Sequence, residues 1–162
     1  MTVDEIIVAC RSAPGCYVKP SSGAPSVGGY SLPQDVVSFY TQCGGIDLFA
    51  NKPFGISLVS PSEFVKANPV IARVDGEGDI SFDWFIVAKA GEQYVTMDLN
   101  PTRLGQCYDS FWDRHAVAGS CPVIAKSYAE LLAQLLNGRG ENWFWLAPDF
   151  QGYGDAYDAI SH

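Results

Sequence analysis

The sequence lacks the short motifs that carry enzyme chemistry or bind metals. It has only two histidines, His115 and His162, and no HExxH, CxxC or paired-histidine spacing of the kind that holds zinc. A GxSxG elbow, a Walker phosphate-binding loop and a GxGxxG turn are also missing. We therefore expect no cofactor, no metal site and no catalytic residues, and we do not expect an enzyme.

Long apolar runs are missing as well. A membrane-spanning helix needs about 18 or more consecutive apolar residues, and no such run occurs. The opening Met-Thr-Val-Asp-Glu-Ile-Ile carries acids where a signal peptide would carry basic residues. These patterns predict a cytoplasmic protein that does not interact with membranes.

Basic residues are scarce. Lys and Arg total 10 against 18 Asp and Glu, which gives a formal net charge of −8. Such a charge repels phosphate backbones, so we expect no nucleic-acid partner, whereas a basic protein partner would be attracted. The same charge is also typical of a protein that is merely soluble.

Cysteines do not form a recognisable framework. There are five, an odd number without CxxC spacing, which favours buried free thiols over disulfides or a zinc site. Whether Cys10 and Cys16 pair with each other is left open by the sequence.

Helix-start signals are clear along the chain. With 162 residues, 48% hydrophobic and 17% charged, it is expected to form one globular unit. Three capping boxes are readable, at Thr2 with Glu5, Ser60 with Glu63 and Ser127 with Glu130, and a proline suited to a first helical turn stands at position 33. We expect helices near 3–12, 33–43, 61–68 and 128–137.

Alternating patterns predict a sheet between these helices. Strands are expected at 46–49, 54–59, 83–90, 93–99 and 105–111, with a tight hairpin at Gly91-Glu92. The fold class is α+β, with a single antiparallel sheet, helices packed mainly on one face and the other face at least partly open. This domain is expected to span residues 1–146. An aromatic and acidic tail over residues 147–162 would dock on the domain or on a neighbouring chain.

Acidic and aromatic residues provide the candidate binding surface. The acids from Asp75 to Asp83 have part of a calcium-loop spacing, but Ile80 and Ile86 stand where an EF-hand needs glycine and glutamate, which favours a solvated acidic loop. Acids interleaved with exposed aromatics are typical of protein-binding surfaces. The candidate partner-binding residues are Asp75, Glu77, Asp79, Asp83, Trp84, Asp109, Trp112 and Asp113.

An enzyme remains the alternative to a binding protein. Asp98, Asp109 or Asp113 would have to form a carboxylate pair, or His115 would have to meet a carboxylate or a cysteine such as Cys107 or Cys121. No pattern in the sequence indicates that these groups converge.

Three stretches in order carry a family resemblance. The first stretch is Leu32-Pro33-Gln34-Asp35, followed by Phe39-Tyr40 and Gly44-Gly45. The second is Val95-Thr96-Met97-Asp98, followed by Gly105-Gln106-Cys107-Tyr108. The third is Ser127-Tyr128-Ala129-Glu130-Leu131-Leu132. Together they resemble the SUKH superfamily, the Smi/Knr-type domain. The run Asp-Ser-Phe-Trp-Asp-Arg-His at 109–115 is similar to a longer bacterial version of its central motif.

The resemblance implies a non-catalytic α+β domain. Many bacterial members resemble immunity proteins, which bind and neutralise a toxin, often a nuclease. We accordingly expect an immunity protein that covers the active surface of a basic toxin domain. A regulatory or scaffolding module with a cellular protein partner is the alternative.

Overall fold

The computed structural model describes residues 1–158, which form four α-helices and one seven-stranded sheet. The helices are α1 (Val3–Ser12), α2 (Gln34–Gln42), α3 (Ala67–Ile71) and α4 (Tyr128–Gly138). The strands are β1 (Tyr17–Val18), β2 (Ile46–Leu48), β3 (Ile56–Leu58), β4 (Trp84–Ala90), β5 (Gln93–Asp98), β6 (Cys107–Asp109) and β7 (Val123–Ala125). No helix in this described range is long and apolar enough to cross a membrane.

The first and last helices begin where the capping boxes predict. The Thr2 hydroxyl accepts a hydrogen bond from the backbone N–H of Glu5 at 3.2 Å, and the Ser127 hydroxyl accepts one from Glu130 at 3.1 Å. Glu130 in turn accepts from the backbone N–H of Lys126 at 2.9 Å. These bonds satisfy N–H groups that have no partner inside a helix.

The predicted helix over 61–68 is wrong. A single 3-10 turn spans Pro61–Glu63, and α3 begins only at Ala67, so it contains Pro69 instead of ending before it. The Ser60 hydroxyl donates to the Glu63 carboxylate and does not cap a backbone N–H. Proline is tolerated in the first turn of α3 because its missing N–H would have no helical partner there.

The sheet is a simple antiparallel series in chain order, from β1 to β7. This confirms the α+β class and the single antiparallel sheet. The strands β1 and β7 lie outside the predicted strands. The two residues of β1 are too few to show an alternating pattern.

One face of the sheet is buried beneath the helices. The rings of Phe85 on β4 and Phe64 lie 5.9 Å apart, and Phe64 meets Tyr40 of α2 at 6.0 Å. Phe39 of α2 meets Tyr128 of α4 at 5.1 Å, and α1 packs against both of these helices. Burial of these large rings supplies much of the apolar stabilisation of the core.

The opposite face is covered at one end and open at the other. On β5, Thr96 and Asp98 of this face are fully buried. At the β1 end, five side chains form a row of directly opposed neighbours, which we call the open row: Tyr17, Asp47, Ser57, Lys89 and Tyr94. Its members are exposed or half-buried, so the second face is partly open as expected.

The C-terminal tail runs along the outer edge of β7. Backbone hydrogen bonds join Val123 to Tyr153 at 3.1 Å and to Gly154 at 2.8 Å, and Cys121 to Ala156 at 2.8 Å. An unpaired sheet edge offers backbone N–H and C=O groups to other chains. Here the tail forms hydrogen bonds with these groups of the β7 edge. Residues 159–162 of the predicted tail, including His162, lie outside the described residues.

All five cysteines are free and buried. Cys10 and Cys16 are not joined by a disulfide, and burial together with the neighbouring Cys16 and Cys43 raises the pKa of Cys10 to about 12. A thiol with so high a pKa is nearly all protonated at neutral pH and is a poor nucleophile.

The carboxylate of Asp155 holds the tail in place, which generates a stability prediction. It accepts hydrogen bonds from the backbone N–H groups of Cys121 at 2.8 Å, Gly119 at 3.0 Å and Tyr157 at 3.0 Å. We expect Asp155→Ala to lower the free energy of unfolding by about 2 kcal/mol, measured by urea denaturation, because three backbone donors, two of them in part-buried bonds, lose their acceptor. The matched control is Asp149→Ala, at an exposed tail position. Equal losses in the two variants would contradict this role of Asp155.

Candidate functional site

The structure divides the eight candidate binding residues into surface and interior groups. Exposed are Asp75, Glu77, Asp79, Trp112 and Asp113, and Asp83 is half-buried. Trp84 and Asp109 have no exposed surface at all. A side chain in the interior cannot contact a partner while the chain is folded, so these two do not belong to a binding surface.

Trp84 is a core residue at the start of β4. Its ring stacks on Tyr108 with centroids 4.2 Å apart, and its indole N–H donates to the Asp98 carboxylate at 3.1 Å. The sequence did not reveal this burial because β4 has buried side chains on both faces, which removes the alternation of a half-exposed strand.

Asp109 is buried at the end of β6 and shapes the segment that follows. Its carboxylate accepts from the Arg114 guanidinium at 2.5 Å and from the backbone N–H of Phe111 at 3.1 Å. Burial raises the pKa of Asp109, while these hydrogen bonds act in the opposite direction. The residue therefore positions its neighbours and does not itself reach a partner.

The acidic loop, residues 75–83, is held against the buried amide of Asn68. The Asn68 Nδ2 donates to the Ser81 hydroxyl at 3.0 Å and to the backbone carbonyl of Asp75 at 3.4 Å. Gly76 has a φ of +76°, and a Cβ at that position would lie 2.1 Å from the Asn68 Nδ2. Only glycine allows this close approach together with this backbone conformation.

Two acids of the loop, Asp79 and Asp83, accept hydrogen bonds that stabilise the fold. Asp79 accepts from the backbone N–H of Ser81 at 3.0 Å and from the Tyr157 hydroxyl at 2.9 Å. Partial burial opposes ionisation, but these hydrogen bonds outweigh it and hold the pKa of Asp79 below its ordinary value. Asp83 accepts from the Tyr30 hydroxyl at 2.6 Å and from Asn100 at 2.9 Å.

The other acids are available to a partner. The side chains of Asp75, Glu77 and Asp113 are exposed and make no hydrogen bond or ion pair within the described part of the chain. Their negative charge on the surface is therefore not compensated by an ion pair within residues 1–158.

Trp112 is an exposed aromatic residue on an ordered segment, residues 111–115, which we call the Trp112 segment. Its side chain is 74% exposed, and its backbone N–H donates to the Gln93 Oε1 at 2.9 Å. The backbone N–H groups of Arg114 and His115 both donate to the carbonyl of Phe111, at 2.8 and 2.9 Å. An aromatic ring presented by an ordered backbone loses little conformational freedom on binding.

His115 joins this segment to the acidic loop. Its Nε2 lies 2.6 Å from the Asn68 Oδ1, so the Asn68 amide bonds to the acidic loop through its nitrogen and to the Trp112 segment through its oxygen. Since that oxygen is an acceptor, the His115 Nε2 carries the proton and donates it. Neither Asn68 nor Gln93 belongs to a sequence motif, so no local pattern singles them out.

The groups considered for catalysis do not converge. His115 bonds to an amide and not to Asp109, Asp113 or a cysteine. Burial raises the pKa of Cys121 to about 12, which opposes thiolate formation. Among residues 1–158, no group of three or more His, Cys, Asp or Glu side chains is arranged to hold a metal ion. The arrangement on the surface is one that can bind a protein by charge and by an aromatic contact.

Comparison with known proteins gives two matches. The sequence model of the SMI1 / KNR4 family (SUKH-1) matches residues 27–134. Over 162 residues the chain is 43% identical to "Immunity protein YokJ" of Bacillus subtilis (strain 168), which covers 99% of this chain and 98% of that protein. The tail, which lies outside the family match, is included in the similarity to this relative.

The buried imidazole of His115 predicts a pH-dependent stability. Burial lowers its pKa from 6.5 to about 4, so the unfolded chain binds a proton that the folded chain does not between these values. The contribution of neutral His115 to the free energy of unfolding is fully present above pH 6.5. It falls by about 3 kcal/mol as the pH drops toward 4. We expect His115→Gln, which keeps an N–H donor and does not titrate, to lose this slope. Urea denaturation of both proteins at pH 7 and pH 4.5 measures this slope. Since Asp98 and Asp109 are present in both proteins, their contribution to the pH dependence cancels when the two profiles are compared. Parallel pH profiles would contradict the assignment.

Proposed function

The chain belongs to the SMI1 / KNR4 family (SUKH-1), and we propose that it is an immunity protein that binds a bacterial toxin and covers its active surface. The observation that carries the proposal is the 43% identity to an immunity protein over nearly the full length of both chains. Because the match covers 99% of this chain and 98% of the relative, no domain has been inserted or deleted between the two. The action is binding without catalysis.

The surface chemistry supports a basic toxin domain as the partner. The chain has a net charge of −8, and Asp75, Glu77 and Asp113 form no ion pair in the part of the chain that the structure describes. A nuclease domain is one suitable class, because a cleft that binds nucleic acid is basic and attracts an acidic protein. Trp112 supplies the large apolar contact that charge alone lacks, since exposed tryptophans are over-represented among residues that dominate binding energy.

The five free thiols support action in the reducing cytoplasm. A toxin that reaches or is made in this compartment would meet its inhibitor there. The acidic surface does not favour nucleic acid or an anionic membrane as a partner.

The direct test is protection from toxins. The C-terminal domains of secreted proteins from the source genome are expressed one at a time in a heterologous bacterium, with or without this chain. We expect at least one domain that arrests growth alone and is tolerated when the chain is present. Protection should be absent with a related immunity protein, such as the YokJ relative, if recognition is specific. If the chain protects against none of these domains and instead co-purifies with housekeeping proteins, it is a regulatory module and the proposal is wrong.

The acidic loop generates a kinetic prediction. Because Asp79 and Asp83 make internal hydrogen bonds, the informative variant is Asp75→Ser with Glu77→Ser. We expect association with the protected toxin domain to slow by about three- to tenfold at low salt, and the difference to shrink at high salt, because long-range attraction is reduced. Surface plasmon resonance at two salt concentrations measures both rates.

The matched control removes the same net charge elsewhere, by Glu141→Ser with Asp149→Ser. These residues are exposed and lie outside the acidic loop, and the one ion pair that is lost, between Lys52 and Glu141, is itself exposed to solvent. Equal slowing in both double variants would mean that only the total charge matters, and unchanged kinetics in both would remove the loop from the interface.

A further inference from the structure

The open row and the acidic loop lie on the same side of the sheet. Alternate residues of a strand share a face, so Tyr94 of the open row is on the same face as Thr96 and Asp98. Trp84, which bonds Asp98, has its ring 5.7 Å from His115 and 6.2 Å from Tyr157. His115 and Tyr157 are bonded to Asn68 and Asp79, so the acidic loop covers the same face next to the open row.

We propose that the open row is the central contact surface for the toxin, with the acidic loop at its margin. This inference rests on the proposed function and adds the location of the interface. The row crosses five strands, and four steps of about 4.8 Å give a width of about 19 Å. That width suits the middle of a standard interface, which buries about 800 Å² on each partner.

The chemistry of the open row is that of an interface centre and not of a margin. Its charges are already paired, since Lys19 lies 3.5 Å from Asp47 and Lys89 forms an ion pair with Glu63. The Ser57 hydroxyl donates to Asp47 at 2.7 Å. A tyrosine stands at each end, and Tyr17 is 61% exposed. Tyrosine is enriched and uncompensated charge is depleted at the centre of protein interfaces.

A strip of exposed valines connects the open row to the acidic loop. Val65 and Val70 line a groove with Ile86, Lys89 and Tyr94. They are 39% and 45% exposed, and Val74, 58% exposed, precedes the first acid of the loop. Exposed apolar residues scattered singly are ordinary, but these three follow one short segment that leads from the groove to the loop. The surface therefore offers a neutral, partly apolar centre with an acidic margin.

The complementary partner is a toxin domain with basic residues around an apolar or aromatic projection. Basic residues would lie opposite Asp75 and Glu77, and the projection would enter the groove beside Tyr94. Charges at the acidic margin are therefore expected to affect mainly the association rate, and contacts in the open row mainly the dissociation rate.

The test places an arginine in the middle of the open row. Ser57→Arg adds bulk and a positive charge on the surface that faces the toxin, and Tyr17→Ala removes exposed ring area without adding anything. The control is Val8→Arg on α1, which is 67% exposed on the helical side of the sheet. The probe is the purified toxin domain identified by the protection assay, inactivated by mutation, and the measurement is its dissociation rate and affinity by surface plasmon resonance. Thermal unfolding verifies that each variant is folded.

We expect Ser57→Arg to weaken binding at least tenfold, mainly through faster dissociation, and to abolish protection, with a smaller loss for Tyr17→Ala and none for Val8→Arg. If the wild-type chain protects but both open-row variants bind as tightly as it does, the location is wrong while the function stands. If the wild-type chain protects against no toxin domain, the function fails and the location with it. If the chain alone is a dimer that Ser57→Arg dissociates, the row is a contact between copies and the proposal is overturned.

Discussion

The buried amide of Asn68 holds two surface segments together, and the surface of this protein depends on it. Its nitrogen donates to Ser81 and to the carbonyl of Asp75, and its oxygen meets the His115 imidazole at 2.6 Å. A buried amide left without these partners would cost about 1–3 kcal/mol, so its hydrogen bonds specify one arrangement of the two segments. The acidic loop and the Trp112 segment, which are distant in sequence, are thereby fixed with respect to each other.

The carboxylates of this chain fall into two groups that the sequence does not distinguish. Asp79, Asp83, Asp98 and Asp109 accept hydrogen bonds from tyrosines, arginines or backbone N–H groups and belong to the fold. Asp75, Glu77 and Asp113 have no such partners in the described residues, so their exposed side chains can interact with solvent or with a partner. Counting acids in a sequence therefore overstates the charge that a partner meets, because acids bonded inside the fold contribute less to the field outside.

The elements found from sequence are those whose signals are local. The capping boxes at Thr2 and Ser127 were read correctly because the bonds they make lie within four residues of each other. The same pattern at Ser60 does not start an α-helix, because the Ser60 hydroxyl bonds only to side chains and caps no backbone N–H. On β4 the periodic signal is absent because both faces are buried, so the sequence pattern does not separate Trp84 from a surface residue. The open row and the role of Asn68 depend on pairings between residues far apart in sequence, which no local pattern contains.

The open row has a consequence for how such proteins diversify. Each of its side chains points away from the core, while its neighbours in the same strand, such as Leu58 beside Ser57 and Ile46 beside Asp47, are fully buried. Surface substitutions usually change the free energy of unfolding by no more than about 0.5 kcal/mol, whereas those in the core change it far more. The proposed contact surface and the core therefore use alternate positions of the same strands. One lineage can exchange its outward residues to follow a changing opponent while its inward residues, and hence its fold, stay constant.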